Sequence, residues 1–413
     1  MEKDFFLGYT VGKKKGEGNQ PILVPKTVTE NGIYNPSDDN ADGYSSVNVS
    51  TYVPTYGTLQ ANANGDYNAV TLGYDGFSDV EVNVSGITSV NFTAIGNSYS
   101  SQFNIPIHIS EDSTNCAYAF SGLSSYNHPI TIPDGVTNCV TMFFQCNNFD
   151  SAVNIPEGVI NCQGIFQACS NLNKQINLPD SITECSSAFG HCEKFNHPVH
   201  IPNNAVNCAR MFNYCNEFNQ EVLIPNNVIN CANMFIGCKN LNQSVTIGNS
   251  VTNCSRMFFS CENLNAPISL GNSIDDMSYM FYLAKEFNQP LNIPNSVTNC
   301  ANMFSSCLAY THDIIIPDSV LNCAGMIEDC ASGLNVYFRK TGVTSSSFNA
   351  KGMCILRNFT SITNIYCNDL TPLLGTASSN SITGTPIEWT AITNGYYNSQ
   401  FNIYLYNNVP DNI

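Results

Sequence analysis

A period of 23 residues constrains the fold of this chain more than any other feature of its sequence. Two series of cysteines carry the period, and their register holds without an insertion. The first series is Cys116, Cys139, Cys162, Cys185, Cys208, Cys231, Cys254, Cys300 and Cys323; the second is Cys146, Cys169, Cys192, Cys215, Cys238, Cys261, Cys307 and Cys330. Both skip one step, where Met277 and Ala284 stand instead. Such a period predicts a solenoid, because one 23-residue coil cannot bury its apolar face alone.

Two further positions keep the same register. One is aromatic: Phe120, Phe143, Phe166, Phe189, Phe212, Phe235, Phe258, Phe281 and Phe304. The other predicts a corner: Pro133, Pro156, Pro179, Pro202, Pro225, Pro294 and Pro317, with Gly248 and Gly271 in place of Pro in two coils. Proline cannot donate to a strand ladder, so each strand should end there.

The sequence of one coil predicts the order of secondary-structure elements in every coil. Leu291 and Ile293 alternate with Asn292, as in a short strand with one buried face. Further along, apolar residues fall at i, i+3, i+4 and i+7, which predicts about two turns of helix; they are Cys300, Met303, Phe304 and Cys307. The predicted fold is therefore an α/β repeat, a leucine-rich-repeat-type solenoid of about ten 23-residue coils preceded by small β units.

The repeat motif resembles a known family. Asn-Cys-Ala-Asn-Met-Phe-x-x-Cys-x-x-Leu/Phe-Asn-Gln-x-Leu is similar to the BspA-like leucine-rich repeats of bacterial surface proteins, most closely around Met277 to Phe281. The other coils carry Cys where that family often has Met. The resemblance covers roughly residues 100–340 and implies a right-handed α/β solenoid with a role in adhesion or recognition. It identifies no ligand.

The first 90 residues have a different pattern. Asn31-Gly-Ile-Tyr34 recurs as Asn64-Gly-Asp-Tyr67, and residues 42–49 resemble residues 75–82, both at a spacing of 33. Asn-Gly turns beside alternating valines predict small β units. This tandem element resembles segments of structural proteins in tailed phages and prophages, which implies attachment to other virion proteins through the N-terminal region.

The change of period divides the chain into four predicted parts. They are an anchoring segment at 1–25, two tandem β units at 26–86, the solenoid at 87–338, and irregular C-terminal coils or a cap at 339–413. Three further strands are expected after Cys330, at 335–338, 364–367 and 402–405.

Composition and charge exclude several classes of partner. The net charge of −17 argues against nucleic acid, because phosphates are neutralised by clustered Lys and Arg. No run approaches 18 apolar residues, so no membrane insertion is expected. The first residues lack the apolar core of a secretory signal, which favours assembly in the host cytoplasm.

The cysteine columns allow three interpretations: metal sites, disulfides or packing. Metal sites use close C-x-x-C pairs, whereas the spacing here is C-x6-C. Disulfides between stacked coils would need correctly directed Cβ atoms. Reduced core thiols are the expectation, because Cys behaves as a small buried hydrophobe and the coil of Met277 replaces both cysteines by apolar residues.

No catalytic, cofactor or metal-binding residues are predicted, and no cofactor is expected. The six histidines show no metal spacing. Glu221 and Asp313 lie on the predicted strand face four coils apart, roughly 19 Å, too far for a glycosidase pair. The Asn residues before the first cysteine series are expected to be buried or nearly so, and to satisfy turn backbone groups from coil to coil.

Two positions of the repeat are candidate binding surfaces. The strand-face row is the outward strand residue of each coil: Thr131, Asn154, Asn177, His200, Leu223, Thr246, Ser269, Asn292 and Ile315. Its amides and hydroxyls suit a polar polymer such as a cell-wall glycan, although a solvated strand surface gives the same pattern. The second is a helix-side apolar contact for a protein or another copy of the chain: Phe144, Ile236, Phe259 and Tyr282.

The sequence thus favours a non-enzymatic virion protein, a phage tail fibre or receptor-binding protein that recognises a glycan or protein of the bacterial surface. The alternatives are a structural or decoration protein of the virion and a bacterial surface adhesin.

Overall fold

The computed structural model describes residues 113–330 without a break. It also describes 104, 107–109, 111, 334–338 and short strands at both ends. The chain divides into two compact units, Met1–Ala205 and Val206–Ile413. Both contain stacked coils with the 23-residue period.

Strands are short throughout. They are β1 (Gly8–Val11), β2 (Lys14–Lys15), β3 (Pro21–Ile22), β4 (Thr27–Val28), β5 (Ser46–Ser50), β6 (Gln60–Ala61), β7 (Tyr67–Ala69), β8 (Glu81–Ser85), β9 (Ile107–His108), β10 (Ile130–Thr131), β11 (Val153–Asn154), β12 (Val222–Leu223), β13 (Val245–Thr246), β14 (Ile268–Ser269), β15 (Ile314–Ile316), β16 (Asn335–Phe338), β17 (Thr363–Cys367) and β18 (Phe401–Leu405). In the coils they form parallel sheets ordered β10-β11, β12-β13-β14 and β15-β16-β17-β18. The last three confirm the strands predicted after Cys330.

Two ladders join successive coils. The strands pair one period apart, as Ile130 does with Val153. A second series of parallel bridges joins the residues before the first cysteine series, such as Asn138 with Asn161. Each coil thus meets its neighbour on both sides of the core, as expected of a leucine-rich-repeat solenoid.

The predicted helix in each coil is wrong. The described residues contain no helix, and the segment from Cys300 to Cys307 is a series of turns. Met303 N–H donates to the carbonyl of Cys300 at 3.2 Å, and Cys307 N–H donates to that of Phe304 at 2.9 Å. These are i to i−3 bonds of β-turns rather than the i to i−4 bonds of an α-helix.

The backbone between those bonds explains why no helix forms. Asn302 has a φ of 53° and Ser306 a φ of 62°, and the equivalent residues of other coils also have positive φ. Each is the third residue of a turn, where a type II turn requires positive φ. The spacing i, i+3, i+4, i+7 shows which side chains face inward, but it does not require a helix. This series of turns buries the same four side chains, those of Cys300, Met303, Phe304 and Cys307.

Other N–H groups of the turn segment bond to the next coil. Asn302 N–H donates to the carbonyl of Ala324, and Phe304 N–H donates to that of Met326, both at 2.8 Å. The turn segment therefore alternates bonds within its own coil with bonds to the next, which holds the coils at a fixed spacing.

The inward residues form continuous columns. Successive phenylalanine rings stack with centroids 5.0–5.7 Å apart from Phe120 to Phe189, and 5.5–5.6 Å apart from Phe212 to Phe304. All of these rings are buried. Stacked aromatic pairs of this kind contribute about 0.5–1.5 kcal/mol each beyond their buried area.

Cysteines of the second series have a role beyond packing. The thiol of Cys169 donates to the carbonyl of Phe143 in the preceding coil at 3.0 Å, and Cys261 donates likewise to Phe235. Burial raises the pKa of both thiols well above their ordinary value. For Cys300, in the first series, burial and then the nearby Asp276 carboxylate raise the thiol pKa to about 12. These three thiols stay protonated, which keeps their S–H groups available as donors.

Asparagine side chains form ladders outside the core. Asn242 N–H donates to Oδ1 of Asn219 at 2.9 Å, and Asn265 N–H to Oδ1 of Asn242 at 2.8 Å. The Asn residues before the first cysteine series are half-buried, and their bonding differs from the prediction: the Oδ1 of Asn161 accepts from Gln163 N–H of its own coil. A short side chain reaches the N–H two residues ahead more readily than the next coil.

Four of the N-terminal strands join β9 in one sheet of order β4-β1-β5-β8-β9, while β2-β3 and β6-β7 form separate pairs. β5 pairs in parallel with β8, Val47 opposite Val82, and β8 pairs with β9 of the first coil, Val82 opposite Ile107. Strands from the predicted anchoring segment, both β units and the solenoid therefore share this sheet. The four-part division of the chain remains a prediction.

Gly164→Ala should lower the free energy of unfolding by about 1–2 kcal/mol, because Gly164 has a φ of +59°. A Cβ there would also lie 3.1 Å from Cγ2 of Thr141. Ala168→Gly is the matched control, since Ala168 has a φ of 63°. Relief of strain and the added freedom of the unfolded chain offset each other, so a change within about 0.5 kcal/mol is expected. Chemical denaturation measures the free energy of unfolding of both variants. An equal loss of stability in Gly164→Ala and Ala168→Gly would contradict the turn assignment.

Alkylation under denaturing, non-reducing conditions should label nearly all 19 cysteines. The seventeen described ones are free and buried, so they should resist alkylation while the chain is folded. Mass spectrometry counts the labels in each state. Finding most of the cysteines bridged in the denatured chain would refute the packing account.

Candidate binding surface

The strand-face row is exposed in both units. In the first unit Thr131, Asn154, Asn177 and His200 are exposed, each flanked by side chains that face the core. In the second unit Leu223, Thr246, Ser269 and Asn292 are exposed, and Ile315 is half-buried. The alternation of buried and exposed residues follows from the two-residue period of a strand. The surface predicted from the sequence is therefore accessible, and its role in binding remains a prediction.

Most side chains of the row are uncharged hydrogen-bonding groups. The exceptions are Ile315 and Leu223; Leu223 lies on the edge strand β12 with 70% of its surface exposed. Amides both donate and accept, and hydroxyls do the same, so these positions can match a ligand rich in hydroxyl groups.

His200 interacts with an acid of the neighbouring corner. Its Nε2 lies 2.9 Å from Oδ1 of Asp180, and the same oxygen accepts from Asn203 N–H at 2.8 Å. These contacts lower the pKa of Asp180 to about 2, mainly through the Asn203 N–H and then through the His200 ring. A negative charge thus lies beside the row in the first unit.

The predicted helix-side contact lies on the turn segments. Phe144, Ile236, Phe259 and Tyr282 are half-buried there. The rings of Phe259 and Tyr282 stack at 4.8 Å. Phe144 belongs to the first unit, and the other three belong to the second.

Neighbouring residues that the sequence did not predict extend this surface. The Arg256 guanidinium lies 4.8 Å above the ring centre of Tyr279, and that ring lies 5.7 Å from the ring of Tyr282. The sequence feature that could have indicated Arg256 and Tyr279 is their shared position in the repeat, two residues after the position of the first cysteine series. It is variable along the chain and holds both Arg256 and Tyr279.

The strand side of the second unit also has a cleft of about 600 Å³ beside Asn292. Ile268, Leu270, Leu291 and Ile293 line its apolar part. The sequence analysis did not predict it. The one sequence feature that could have indicated the cleft is the replacement of the corner proline by Gly248 and Gly271.

The acids considered for catalysis make structural contacts between coils. Glu221 accepts from the Ser244 hydroxyl at 3.2 Å, and Asp313 accepts from the Asn335 amide at 2.8 Å. Among the described residues, no group of three or more His, Cys, Asp or Glu side chains could hold a metal ion. No helix in that part of the chain has the length and hydrophobicity that a membrane crossing requires.

Asp180→Asn should destabilise the protein at pH 6 and have no effect near pH 2. The lowered pKa of Asp180 means that its carboxylate stabilises the fold above the ordinary pKa of an aspartate, about 3.9. That contribution is lost as the pH falls towards 2. Asparagine can still accept the corner N–H, as Asn226 does from Asn249. Denaturation midpoints of the two proteins across this range test the prediction, and a difference that persists at pH 2 would contradict it.

Comparison with known proteins identifies the repeat. The family model described as "Mycoplasma protein of unknown function, DUF285" matches residues 81–177, 114–224, 137–247 and 206–316, overlapping segments that cover more than half of the chain. No curated protein matches the sequence.

Several solved structures are similar at low identity. A leucine-rich repeat protein from Bacteroides ovatus is 18% identical, with 88% of this chain and 94% of that chain covered and a TM-score of 0.49. A leucine-rich cell surface protein from Faecalibacterium prausnitzii is 16% identical, with coverage of 72% and 97% and a TM-score of 0.35. The pneumococcal vaccine antigen PcpA is 12% identical, with coverage of 80% and 91% and a TM-score of 0.42.

The matched segments contain the cysteine, phenylalanine and proline columns whose coils are described above. The chain therefore belongs to the DUF285 family, and its coils are BspA-like leucine-rich repeats.

Proposed function

We propose that this chain is a non-enzymatic recognition protein that binds a neutral, hydroxyl-rich polymer of a bacterial surface, such as a cell-wall glycan. The observation that carries the proposal is the exposed strand-face row. Its residues change from coil to coil, while the flanking positions stay aliphatic.

Geometry supports a polymeric ligand. Parallel strands place equivalent residues of successive coils about 4.8 Å apart. Val222, Val245 and Ile268 pair in this way, so Leu223, Thr246 and Ser269 form a regular row beside them. A ligand with repeating polar groups can contact several coils at once, and weak contacts then add up.

The N-terminal sequence favours a virion as the setting. The tandem units at 26–86 resemble segments of phage structural proteins, so in this proposal residues 1–86 contact other virion proteins and the coils bind the host. The protein would then be a tail fibre or receptor-binding protein assembled in the host cytoplasm. A decoration protein of the virion and a bacterial surface adhesin are the alternatives. Immunogold labelling of intact particles and of bacterial cells distinguishes them.

A second candidate function is contact with a protein, including another copy of this chain. The stacked rings of Phe259 and Tyr282 are half-buried, with Arg256 nearby. Tyrosine and arginine are enriched among residues that dominate protein interfaces. A change of oligomeric state on Phe259→Ser, measured by light scattering, would favour this candidate.

The triple variant Asn154→Lys, Asn177→Lys, Asn292→Lys should lose binding to bacterial cells and purified cell-wall glycan by more than about tenfold. Long cationic side chains on the strand-face row would obstruct a neutral polymer and leave its hydroxyls unpaired, and about 1.4 kcal/mol corresponds to tenfold. Sedimentation of the protein with cells or insoluble glycan measures the loss.

A matched control carries the same charge change elsewhere. Asn204, Asn240 and Asn263 are exposed and lie outside the strand-face row. Their triple replacement by Lys should leave binding within about twofold. Denaturation midpoints of both variants should match that of the unchanged protein. Unchanged binding by the strand-face variant would remove this surface from the proposal.

A further inference from the structure

The cleft on the strand side of the second unit opens into the core between two coils. Leu270 and Ile293 hold the strand position that faces inward and precedes the corner, and both are half-exposed. The eight other described residues at this position are buried: Ile109, Ile132, Ile155, Leu178, Ile201, Ile224, Ile247 and Ile316. The cleft between Leu270 and Ile293 therefore uncovers apolar surface that every other described coil keeps dry.

Two glycines explain why the coils separate here. A Cβ added to Gly248 would lie 2.3 Å from the carbonyl oxygen of Pro225, and one added to Gly271 would lie 2.2 Å from that of Gly248. Both corners thus approach the preceding coil more closely than any side chain would allow. The next corner holds Pro294, and the cleft lies between the glycine corner at Gly271 and this proline corner.

Contacts away from this corner keep the two coils together. On the turn side, the rings of Phe258 and Phe281 remain 5.5 Å apart. Asn288 N–H still donates to Oδ1 of Asn265 at 2.9 Å, just before the strand position. The opening is local, and the surrounding ladders hold it in place, so the cleft is preformed rather than a break in the stack.

The lining has a specific chemical character. Apolar carbons of Ile268, Leu270, Leu291 and Ile293 form one part, and Asn272, Asn292 and Asn295 supply amides. The Ser296 hydroxyl donates to the carbonyl of Ile274 at 2.6 Å, so it offers a ligand only an acceptor. None of the ten lining residues is charged, in a chain whose net charge is −17. A volume of about 600 Å³ falls in the range of small-molecule sites, roughly 300–1,000 Å³.

We infer that this cleft is a subsite for a neutral pyranose sugar. A pyranose ring has an apolar face of C–H groups and a rim of hydroxyls. The former fits the isoleucine and leucine carbons, and the latter needs partners that both donate and accept, as amides do. A charged sugar would enter a site without a counter-charge, which is unfavourable on desolvation.

The position of the cleft connects it to the strand-face row. Asn292 belongs to both, so a polymer lying along the row could place one sugar unit or a branch in the cleft. This inference rests on the proposed function for its ligand class. It adds a site that holds a single sugar unit, which the strand-face row alone does not supply. The row would contact a polymer over many coils, whereas the cleft would hold one unit.

Methyl NMR of the full chain with labelled isoleucines tests the inference. Cellotriose, mannotriose or chitotriose should shift the methyl signals of Ile268 and Ile293, identified with Ile268→Val and Ile293→Val. The signals of Ile224 and Ile247, buried in neighbouring coils, should stay unchanged. Trigalacturonate and a neutral extended hexapeptide serve as charged and peptide comparisons and should cause no shift.

Two variants act on the cleft in different ways. Gly271→Pro restores the residue found at this corner in seven other coils, and its Cβ would force the corner away from Gly248 and into the cleft. It should abolish the sugar-induced shifts. Asn295→Ala removes one rim amide and should weaken the sugar about two- to tenfold. Asn240→Ala, an exposed amide outside the cleft lining, is the control and should have no effect.

The outcomes separate this inference from the proposed function. Absence of shifts with all three neutral sugars, or stronger shifts with trigalacturonate or the peptide, overturns the pyranose subsite. If Gly271→Pro fails to fold, Asn295→Ala decides the test. Equal sugar affinity of Asn295→Ala and Asn240→Ala also overturns the pyranose subsite. Asn154→Lys with Asn177→Lys, both in the first unit, should abolish polymer binding yet leave the Ile268 and Ile293 shifts intact. Loss of polymer binding without any sugar shift would retain the strand face and reject the cleft.

Discussion

Hydrogen bonds from the turn segment of one coil to the next set the spacing on which the rest of the structure depends. Asn302 and Phe304 donate to the following coil, while Met303 and Cys307 donate within their own. This alternation satisfies the backbone without a helix, and it requires a left-handed residue twice per coil. A helix would have used the same N–H groups internally and left only the strand pairs and the bridges before the first cysteine series as backbone contacts between coils.

The fixed spacing explains which residue types recur. Phenylalanine rings can stack because their backbones lie one coil apart, and the second cysteine series can place its thiol against the preceding phenylalanine carbonyl. Cysteine suits this position since it is small and its S–H is a donor, although a weak one. Burial keeps the thiol protonated, so the interaction does not depend on pH in the ordinary range. Met277 and Ala284 show that packing alone suffices in one coil, because both are fully buried.

Sequence predicted the solenoid, its core columns and its outward row, because each depends on a side chain recurring every 23 residues. The helix was wrong for a physical reason: inward spacing at i, i+3, i+4 and i+7 is shared by a helix and by this turn series. Positive φ at residues such as Asn302 and Ser306 could not be predicted, since most of these positions hold no glycine. The cleft lies next to corners at Gly248 and Gly271 that approach the preceding coil closely, and a pattern of residue types does not report such distances.

The departures from the repeat lie close together in the chain, which bears on what the cleft is. Ile268, Leu270 and Asn272, on either side of Gly271, form one wall, and residues 290–296 form the other. Met277 and Ala284 lie between them in the chain. A repeat that only had to stack would gain from proline at the corner, because proline restricts the unfolded chain and fits this position elsewhere. Two successive glycines give up that gain and add conformational entropy to the unfolded chain. They also expose Leu270 and Ile293, each of which would stabilise the fold by about 1.5–3 kcal/mol if fully buried. A structural spacer has no use for such a loss, whereas a binding site needs an opening with apolar carbons and free rim groups at a fixed separation.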